Sequence, residues 1–311
     1  MKKFLLRGLS LTVCSLVLLT GCNNLKTNIS QPSDTVGEIP SYEENKTSSQ
    51  SENVLQNATI TFLDVGQADC SFLEFEGKTM LIDAGNRDDG ELIASFIENK
   101  GYDTIDFVIA THPHEDHIGG LPYVLDRFDV KSIYTPFIHP SYSPSTKIYN
   151  EFLTAINDEN VDIINPDIKD IIYQGEDTTI TVLTDNKTTS FEDLNDYSIA
   201  LKFEYGNNDF IFAGDATEHI EENILSNFSK DFLDVNVLKV SHHGSCTSNS
   251  SEWLSVLSPE YSVIMCGKNN KYNHPHQSTL DRLDTIKSET LRTDISGTIT
   301  LYTDGKNIII N

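Results

Sequence analysis

Positive charge is scarce in this sequence of 311 residues, where 22 Lys and Arg face 47 Asp and Glu and give a formal net charge of −25. A protein that coats nucleic acid through bulk charge needs the opposite balance, so that class is excluded, whereas a nuclease that grips its substrate locally is not. Long apolar runs are missing too. After residue 22 no run approaches the roughly 20 apolar residues of a membrane-spanning helix, which excludes a multi-pass membrane protein.

Cysteine is also sparse, with 5 residues in the chain. No Cys-x-x-Cys spacing occurs, which argues against a zinc ribbon. Beyond residue 22 only Cys70, Cys246 and Cys266 remain. Because their number is odd, no complete disulfide framework is predicted, and the sequence leaves open whether two of them pair.

Residues 1–21 have the pattern of a bacterial export signal, with positive charges followed by an apolar stretch too short to span a membrane comfortably. The stretch ends in Leu-Thr-Gly-Cys at 19–22, which resembles the lipobox of bacterial lipoproteins. That resemblance implies lipidation of Cys22, which becomes the new N-terminus. We therefore expect a protein on the extracytoplasmic face of the cell membrane, anchored by its lipid alone.

Residues 22–57 are rich in Asn, Ser, Thr, Gln and Glu, cannot bury a core, and are predicted to form a flexible tether. Residues 58–311 alternate short apolar strands with helical segments and predict one α/β domain with mixed sheets and outer helices. Strands are predicted at 59–64, 70–74, 79–83, 107–110, 179–183, 199–205, 210–213, 235–240, 261–266, 297–302 and 307–310. Helices are predicted at 89–99, 119–128, 147–157, 217–228 and 278–286.

Four potential metal ligands fall within six residues: His112, His114, Asp116 and His117. They follow the apolar strand predicted at 107–110 and precede a helix. Such a set cannot share one face of a strand, but it can converge at a turn between strand and helix. Imidazole and carboxylate groups suit zinc, manganese or iron, so the pattern predicts a metal site.

This His-x-His-x-Asp-His pattern resembles the signature of the metallo-β-lactamase fold, and other elements of that fold follow in order. Asp83 lies in an Asp-x-Gly element, Asp215 ends a Gly-Asp element, and a Ser-His-His-Gly-Ser sequence occupies 241–245. The resemblance implies an αββα sandwich, with two mixed β-sheets flanked by helices.

Within that fold the sequence resembles the nuclease-like domain of the ComEC-like competence proteins, without their membrane channel. The resemblance covers residues 58–310 and begins with Phe-Leu-Asp-Val-Gly-Gln-Ala-Asp-Cys at 62–70. Motifs of the same family match in order at 195–198, 237–245, 273–276 and 292–299. Ala68 and Cys70 replace the usual Gly and Ser, both by small residues.

The resemblance implies two divalent metal ions, Mn²⁺ or Zn²⁺, that activate water. One ion is held by His112 and His114, the other by Asp116 and His117, and Asp215 bridges them. His242 is preferred as the remaining ligand, with His243 as a close competitor.

The classical fold has another histidine ligand before the bridging aspartate, and here that interval offers only His139, in an unrelated context. Oxygen ligands from Asn195, Asp196 and Ser198 could replace it and favour manganese. Asp64 and Asp83 are predicted to orient ligand histidines, the alternative being carboxylates that cap turns at strand ends.

Residues 268–276 form a candidate substrate loop. Lys268 and Lys271 could contact phosphate, Tyr272 could stack on a base, and His274 or His276 could protonate a leaving oxygen beside the catalytic Asp116. The alternative is a solvated loop. The role of Lys239, next to the late histidines, is left undecided.

The leading hypothesis is an exported, lipid-anchored dimetal hydrolase that cleaves phosphodiester bonds, most readily those of DNA. One alternative is a phosphodiesterase that acts on a cell-envelope polymer, such as a teichoic acid, or on a small phosphodiester. A third is a non-catalytic surface-binding lipoprotein with a vestigial metal site. No protein partner is predicted.

Overall fold

The structure, a computed structural model, describes residues 57–311 except 160, 162, 188 and 189. The predicted export signal, the lipidation at Cys22 and the tether as far as residue 56 lie outside the described residues. Among the helices of the described part, none combines the length and the apolarity needed to cross a membrane.

Strands and helices alternate along the described chain. The strands are β1 Ala58–Phe62, β2 Ser71–Phe75, β3 Lys78–Ile82, β4 Thr104–Ile109, β5 Asp129–Tyr134, β6 Ile163–Ile164, β7 Ile171–Gln174, β8 Thr178–Val182, β9 Leu201–Tyr205, β10 Asn208–Phe212, β11 Val237–Lys239, β12 Tyr261–Ile264, β13 Glu289–Arg292, β14 Ile299–Thr303 and β15 Ile308–Ile310. The α-helices are α1 Gly90–Asn99, α2 Glu115–Ile118, α3 Leu121–Arg127, α4 Lys147–Glu159, α5 Glu218–Asn227, α6 Lys230–Leu233, α7 Ser251–Leu257, α8 Gln277–Thr285 and α9 Thr293–Ser296. Short 3₁₀ turns occur at Arg87–Asp89, Leu194–Tyr197 and Ser241–Gly244.

The strands form two mixed sheets. The first has the spatial order β15-β14-β1-β2-β3-β4-β5-β6 and the second β13-β12-β11-β10-β9-β8-β7. In each sheet an antiparallel part continues into parallel strands, with β3, β4 and β5 parallel in the first and β10, β11, β12 and β13 parallel in the second. Short hairpins join β2 to β3, β7 to β8, β9 to β10 and β14 to β15, whereas β1 pairs antiparallel with the sequence-remote β14. Crossovers that carry helices join the parallel strands.

Aromatic and aliphatic side chains fill the space between the sheets. Phe62 stacks on Phe212 at 5.9 Å between ring centroids, and Phe75 meets Phe203 edge to face at 5.3 Å. Each of these pairs joins one sheet to the other, and all four rings are buried. Offset and edge-to-face contacts are the favoured arrangements of aromatic rings, so these pairs help to fix how the sheets are stacked.

Helices cover the outer face of each sheet. Helix α4 packs Ile148, Phe152 and Ile156, one face of the helix at a spacing of four residues, toward the first sheet. Helix α7 covers the second sheet with Trp253, and the Ser250 hydroxyl caps it by accepting from the Trp253 amide. The predicted αββα sandwich is confirmed.

The carboxyl ends of the parallel strands meet at one edge of the sandwich. β3 is followed by Asp83, β4 by His112, β10 by Asp215 and β11 by His242. Because parallel neighbours end side by side, residues far apart in the sequence are brought to the same place.

Candidate metal centre

The turn after β4 is held by Asp83, which adopts φ +59°. Its carboxylate accepts from the amide and the hydroxyl of Thr111, at 2.9 and 2.7 Å, and lies 2.7 Å from Nδ1 of His117. Nδ1 of His117 therefore carries the proton, and Nε2 is left with the lone pair that a metal needs. The structure thus places Asp83 where it fixes the orientation of His117.

Asp215 lies at the centre of the cluster and is 2% exposed. Four imidazoles surround its carboxylate. Nε2 of His117 is 3.2 Å away, Nε2 of His242 3.6 Å, Nε2 of His243 3.7 Å and Nε2 of His112 4.0 Å. This central position matches that of a bridging carboxylate.

Both late histidines face Asp215, although they are adjacent in the sequence. His242 and His243 adopt left-handed backbone angles, φ +51° and +52°, which are costly for residues other than glycine and persist where the surroundings enforce them. His243 lies beside Asp116, with Nε2 3.4 Å from Oδ2. His242 lies on the other side of Asp215, and its Nδ1 is 3.2 Å from the hydroxyl of Thr247. The sequence left open which of the two histidines is the remaining ligand, and in the structure the Nε2 atoms of both lie within 3.7 Å of Asp215.

Asn249 holds the strained turn in place. Its Oδ1 accepts from the amide of Ser241 at 3.0 Å, and its Nδ2 donates to the carbonyl of Ser241 at 2.9 Å. The Asn249 amide in turn donates to the buried carboxylate of Glu221, which also accepts from the amide of Ser250 at 2.9 Å. Together these hydrogen bonds hold the backbone that carries His242 and His243 in its strained conformation.

The donor set fits divalent cations. Nε2 of His117, Nε2 of His243 and Oδ1 of Asp215 are buried atoms with no hydrogen-bond partner. Leaving buried polar atoms without a partner is energetically costly. A metal cation can accept the lone pairs of both the imidazole nitrogens and the carboxylate oxygen. Four triads bring their donor atoms within 4.8 Å of one another: His112, His117 and Asp215; Asp116, His117 and His243; Asp69, Asp215 and His243; and Asp69, Asp83 and His117.

The electrostatics of the pocket also favour positive charge. Burial opposes the charged form of His117, yet Asp215 and Asp83 raise its pKa well above the ordinary value. Burial likewise opposes the charged form of His243, but the negative charges of Asp215 and Asp69 outweigh this effect and raise its pKa to about 10. Burial disfavours the ionised form of Asp215, but His117 and His243 hold its pKa well below the usual range. A site that stabilises imidazolium in this way also stabilises a metal cation.

A buried ion pair between Asp69 and Lys239 supports the cluster, and sequence reasoning did not find it. The two side chains are 4% and 3% exposed. The Lys239 ammonium contacts Asp69 and donates to the carbonyl of Gly214 at 3.2 Å, while Oδ1 of Asp69 lies 3.2 Å from Nδ1 of His243. The available signal was that a lysine and an aspartate flank apolar strand residues, where unpaired charges are rare.

Ser198 and Asn195 lie close to Asp215 and the histidines that surround it. The hydroxyl of Ser198 accepts from the amide of Asp215 at 3.0 Å and lies 3.4 Å from Nδ1 of His112. Oδ1 of Asn195 is buried without a hydrogen-bond partner, and this residue lines the same cavity as Asp215.

Two other predicted oxygen donors lie elsewhere. Asp196 accepts from the hydroxyl of Thr217 and lines a separate small cavity with His219. Asp64 is exposed, and its Oδ1 accepts from the amide of Gly66 at 3.2 Å. Asp64 thus closes a turn after β1 instead of orienting a histidine.

A cavity of about 260 Å³ opens onto the cluster and is lined by His114, Asp116, Asp215, Tyr272 and His274 among others. Nδ1 of His114 also lies 3.0 Å from Nε2 of His112, which joins the two signature histidines. The His274 ring stacks on the Tyr272 ring, with centroids 5.5 Å apart.

Only some residues of the predicted substrate loop, 268–276, line the cavities at this site. His276 does not line this cavity, and its Nδ1 accepts from the amide of Cys246 at 2.9 Å. Lys268 is exposed and lines neither this cavity nor the adjoining one, whereas Lys271 lines the adjoining one. The loop therefore contributes His274, Tyr272 and Lys271 to the site, and His276 instead supports the neighbouring backbone.

A larger cavity of about 610 Å³ lies beside α3 and α4, lined by Arg87, Tyr123 and Glu151 among others. Histidine is absent from its described lining, so its size does not make it the catalytic site. The three cysteines of the described part, Cys70, Cys246 and Cys266, are free.

Comparison with known proteins agrees with this geometry. The sequence profile of the metallo-beta-lactamase superfamily matches residues 63–268. ComE operon protein 3 of Bacillus subtilis (strain 168) is 31% identical over 258 residues, 77% of this chain and 32% of that protein. Recombination protein 2 of Haemophilus influenzae is 27% identical over 245 residues, 77% of this chain and 28% of that protein. The chain thus spans about a third of the length of these relatives.

A shorter match and a solved structure complete the comparison. Endoribonuclease YSH1 of Kluyveromyces lactis is 32% identical over 99 residues, 30% of this chain and 13% of that protein. The metallo-beta-lactamase fold protein YhfI from Bacillus subtilis is similar in structure, with a TM-score of 0.51 at 12% identity, over 80% of this chain and 100% of that one.

Proposed function

The chain belongs to the metallo-beta-lactamase superfamily, and from this premise we propose that it is a dimetal phosphodiesterase whose substrate is DNA. The predicted enzyme class, a metal-dependent hydrolase, is confirmed, as is the resemblance to the ComEC-like competence proteins. Support for a nucleic-acid substrate comes from relatives named as a recombination protein and an endoribonuclease.

The observation that carries the proposal is the convergence of unsatisfied donor atoms: those of His243 and Asp215 belong to residues that line one cavity, and Nε2 of His117 lies 3.2 Å from Oδ1 of Asp215. We assign His112, His114 and His242 to one ion, Asp116, His117 and His243 to the other, and Asp215 to both. When bound, divalent ions at this place supply an activated water and positive charge for the phosphate oxygens. The unpartnered Oδ1 of Asn195 adds an oxygen donor, which favours Mn²⁺ over Zn²⁺.

His274 is the residue we assign to hydrogen bonding with the leaving oxygen, because burial and the nearby His243 lower the pKa of its imidazole to about 4 and leave the ring neutral near pH 7. The Gly267 amide donates to Oε1 of Gln67 at 3.0 Å, so the amide nitrogen of Gln67 faces Nδ1 of His274, 3.4 Å away. Nδ1 of His274 therefore accepts, and its proton is carried on Nε2. Because His274 lines the cavity and His276 does not, the N–H group of His274 is the one available to substrate.

Replacing His274 with alanine is expected to lower kcat on DNA about 10²-fold, because a hydrogen-bond donor to the negative charge that develops on the leaving oxygen is lost. On bis-p-nitrophenyl phosphate the loss should stay below about 10-fold, because a p-nitrophenolate leaving group delocalises its negative charge and needs little such stabilisation. Steady-state kinetics of both reactions measure the two ratios. His276→Ala is the matched control, with a smaller loss expected on DNA. Equal losses on both substrates would assign His274 to binding instead.

The proposed function is tested with the purified protein and a panel of phosphodiesters in Mn²⁺ and in Zn²⁺. We expect cleavage of DNA, with Mn²⁺ the better metal. The net charge of −25 favours a second candidate, a phosphodiester of the cell envelope such as a teichoic acid. Hydrolysis of that polymer or of bis-p-nitrophenyl phosphate without any DNA cleavage would select it. A vestigial site would bind well under one metal ion per chain, which metal analysis measures.

We further propose that the enzyme acts outside the cell membrane, anchored by lipid at Cys22. The support is the export signal and the Leu-Thr-Gly-Cys ending at 19–22. Cells fed a labelled fatty acid should label the wild-type protein and leave a Cys22→Ser variant unlabelled. Equal labelling of both proteins would rule the anchor out.

A further inference from the structure

A second cavity continues from the catalytic one. Its volume is about 410 Å³, and Gln67, Glu115, Asp116 and Tyr272 line both spaces. The additional walls are amides and a cation, from Asn86, Asn270 and Lys271. A substrate whose scissile phosphodiester reaches Asp116 therefore places its next chemical group in this second cavity.

The aromatic wall of the second cavity is accessible. Tyr272 is 47% exposed, although its ring stacks on His274. The ammonium of Lys271 lies 4.8 Å from the ring centroid. A cation–π contact at an exposed site is weak, so a flat group can displace the flexible Lys271 side chain from the ring and free its charge for a phosphate.

The lining of the second cavity also carries negative charge, which determines which part of a nucleotide can bind there. Glu115 is exposed and lines the cavity beside Asp116. Carboxylates repel a phosphate but accept hydrogen bonds from the amino groups of a base. The amides of Asn86 and Gln67 add polar groups of the kind that face base edges.

We propose that this cavity is a subsite for one unpaired nucleobase next to the scissile bond, stacked on Tyr272 with its polar edge toward Glu115. The proposal rests on the proposed function and narrows it, because a base can enter such a cavity only when it has left its partner and its stack. The preferred substrate is therefore single-stranded DNA.

The experiment compares a single-stranded oligonucleotide with the same oligonucleotide carrying abasic tetrahydrofuran residues on both sides of one phosphodiester. The full-length wild-type protein should cleave that bond at least about 10-fold faster when the bases are present. Tyr272→Ala should bring the ratio close to one. Tyr142→Ala is the matched control, because Tyr142 is similarly exposed, at 43%, and lines neither cavity. It should keep the wild-type ratio. A duplex of the same sequence should be cleaved more slowly than the single strand.

Binding separates this inference from the proposed function. Fluorescence anisotropy of the labelled oligonucleotides, with metal chelated, measures base preference without cleavage. If the wild type binds the base-bearing strand more tightly and Tyr272→Ala does not, the subsite stands even where no DNA is cut. If cleavage and binding are both indifferent to the abasic residues, or Tyr272→Ala keeps the full preference, the subsite is refuted while the phosphodiesterase is not.

Discussion

Replacement of Asp215 by asparagine is expected to reduce phosphodiester cleavage by about 10³-fold or more, since loss even of the groups that only orient a ligand costs 10- to 100-fold. The Nε2 atoms of four histidines lie within 4.0 Å of this carboxylate, and asparagine keeps its shape while removing its charge. The amide of Asp215 still donates to Ser198 in the variant, so the local backbone should survive. The measurements are kcat/KM, bound metal per chain and far-ultraviolet circular dichroism.

Two further aspartate variants serve as comparisons, with an intermediate and a small expected loss of activity. Asp83→Asn should lose about 10- to 100-fold, because Asp83 touches His117 and not the substrate. Asp64→Asn should stay within about twofold of wild type, since asparagine can accept the Gly66 amide equally well. An Asp215→Asn protein that is folded, fully loaded with metal and active would refute the assignment of Asp215 as the shared ligand.

Much of this arrangement could be predicted because strand ends carry its chemistry. Asp83, His112 and Asp215 each follow an apolar run, and the carboxyl ends of parallel strands lie side by side. The turn that carries the His-x-His-x-Asp-His pattern could be predicted without knowing how the second sheet packs. The partner sheet brought Asp215 and His242 to the same edge, as the motif order implied.

Elements with mixed composition were missed. β5, Asp129–Tyr134, buries only Val130 and Ile133 and carries polar residues between them, so its apolar signal is short. α7, Ser251–Leu257, was missed although Ser250 caps it, because the helix spans only two turns and its three buried residues, Trp253, Leu254 and Leu257, make too short an apolar pattern. The predicted helix at 119–128 corresponds to α3, Leu121–Arg127, whereas the short helix α2, Glu115–Ile118, was not predicted because it lies within the His-x-His-x-Asp-His pattern.

The ligand set was harder to predict than the motif. A missing histidine between the signature and Asp215 suggested oxygen donors, and Asn195 and Ser198 do lie nearby. The sequence could not show that His242 and His243 face the same carboxylate, because adjacent residues usually point apart. Their left-handed backbone angles, enforced by Asn249, make it possible. Backbone strain of this kind is set by tertiary contacts and leaves little trace in a single sequence.

Substitution of Lys239 by methionine is expected to lower the free energy of unfolding by about 3 kcal/mol, because it leaves the Asp69 carboxylate buried without its cation. Urea unfolding in the presence of a chelator measures this without a contribution from bound metal. The double variant Asp69→Asn/Lys239→Met should recover at least half of the loss, since both charges are then gone.

Lys202 provides the matched control for that experiment. It is equally buried, but its partners Asp209 and Glu204 remain 25% and 30% exposed, so water can solvate them when the ammonium is removed. Lys202→Met should therefore cost about 1 kcal/mol or less. Equal losses for the two lysine variants would mean that packing of the aliphatic stems dominates. A double variant no more stable than Lys239→Met alone would mean that Asp69 is stabilised by His243 and His117 instead, and that its ion pair with Lys239 contributes little to stability.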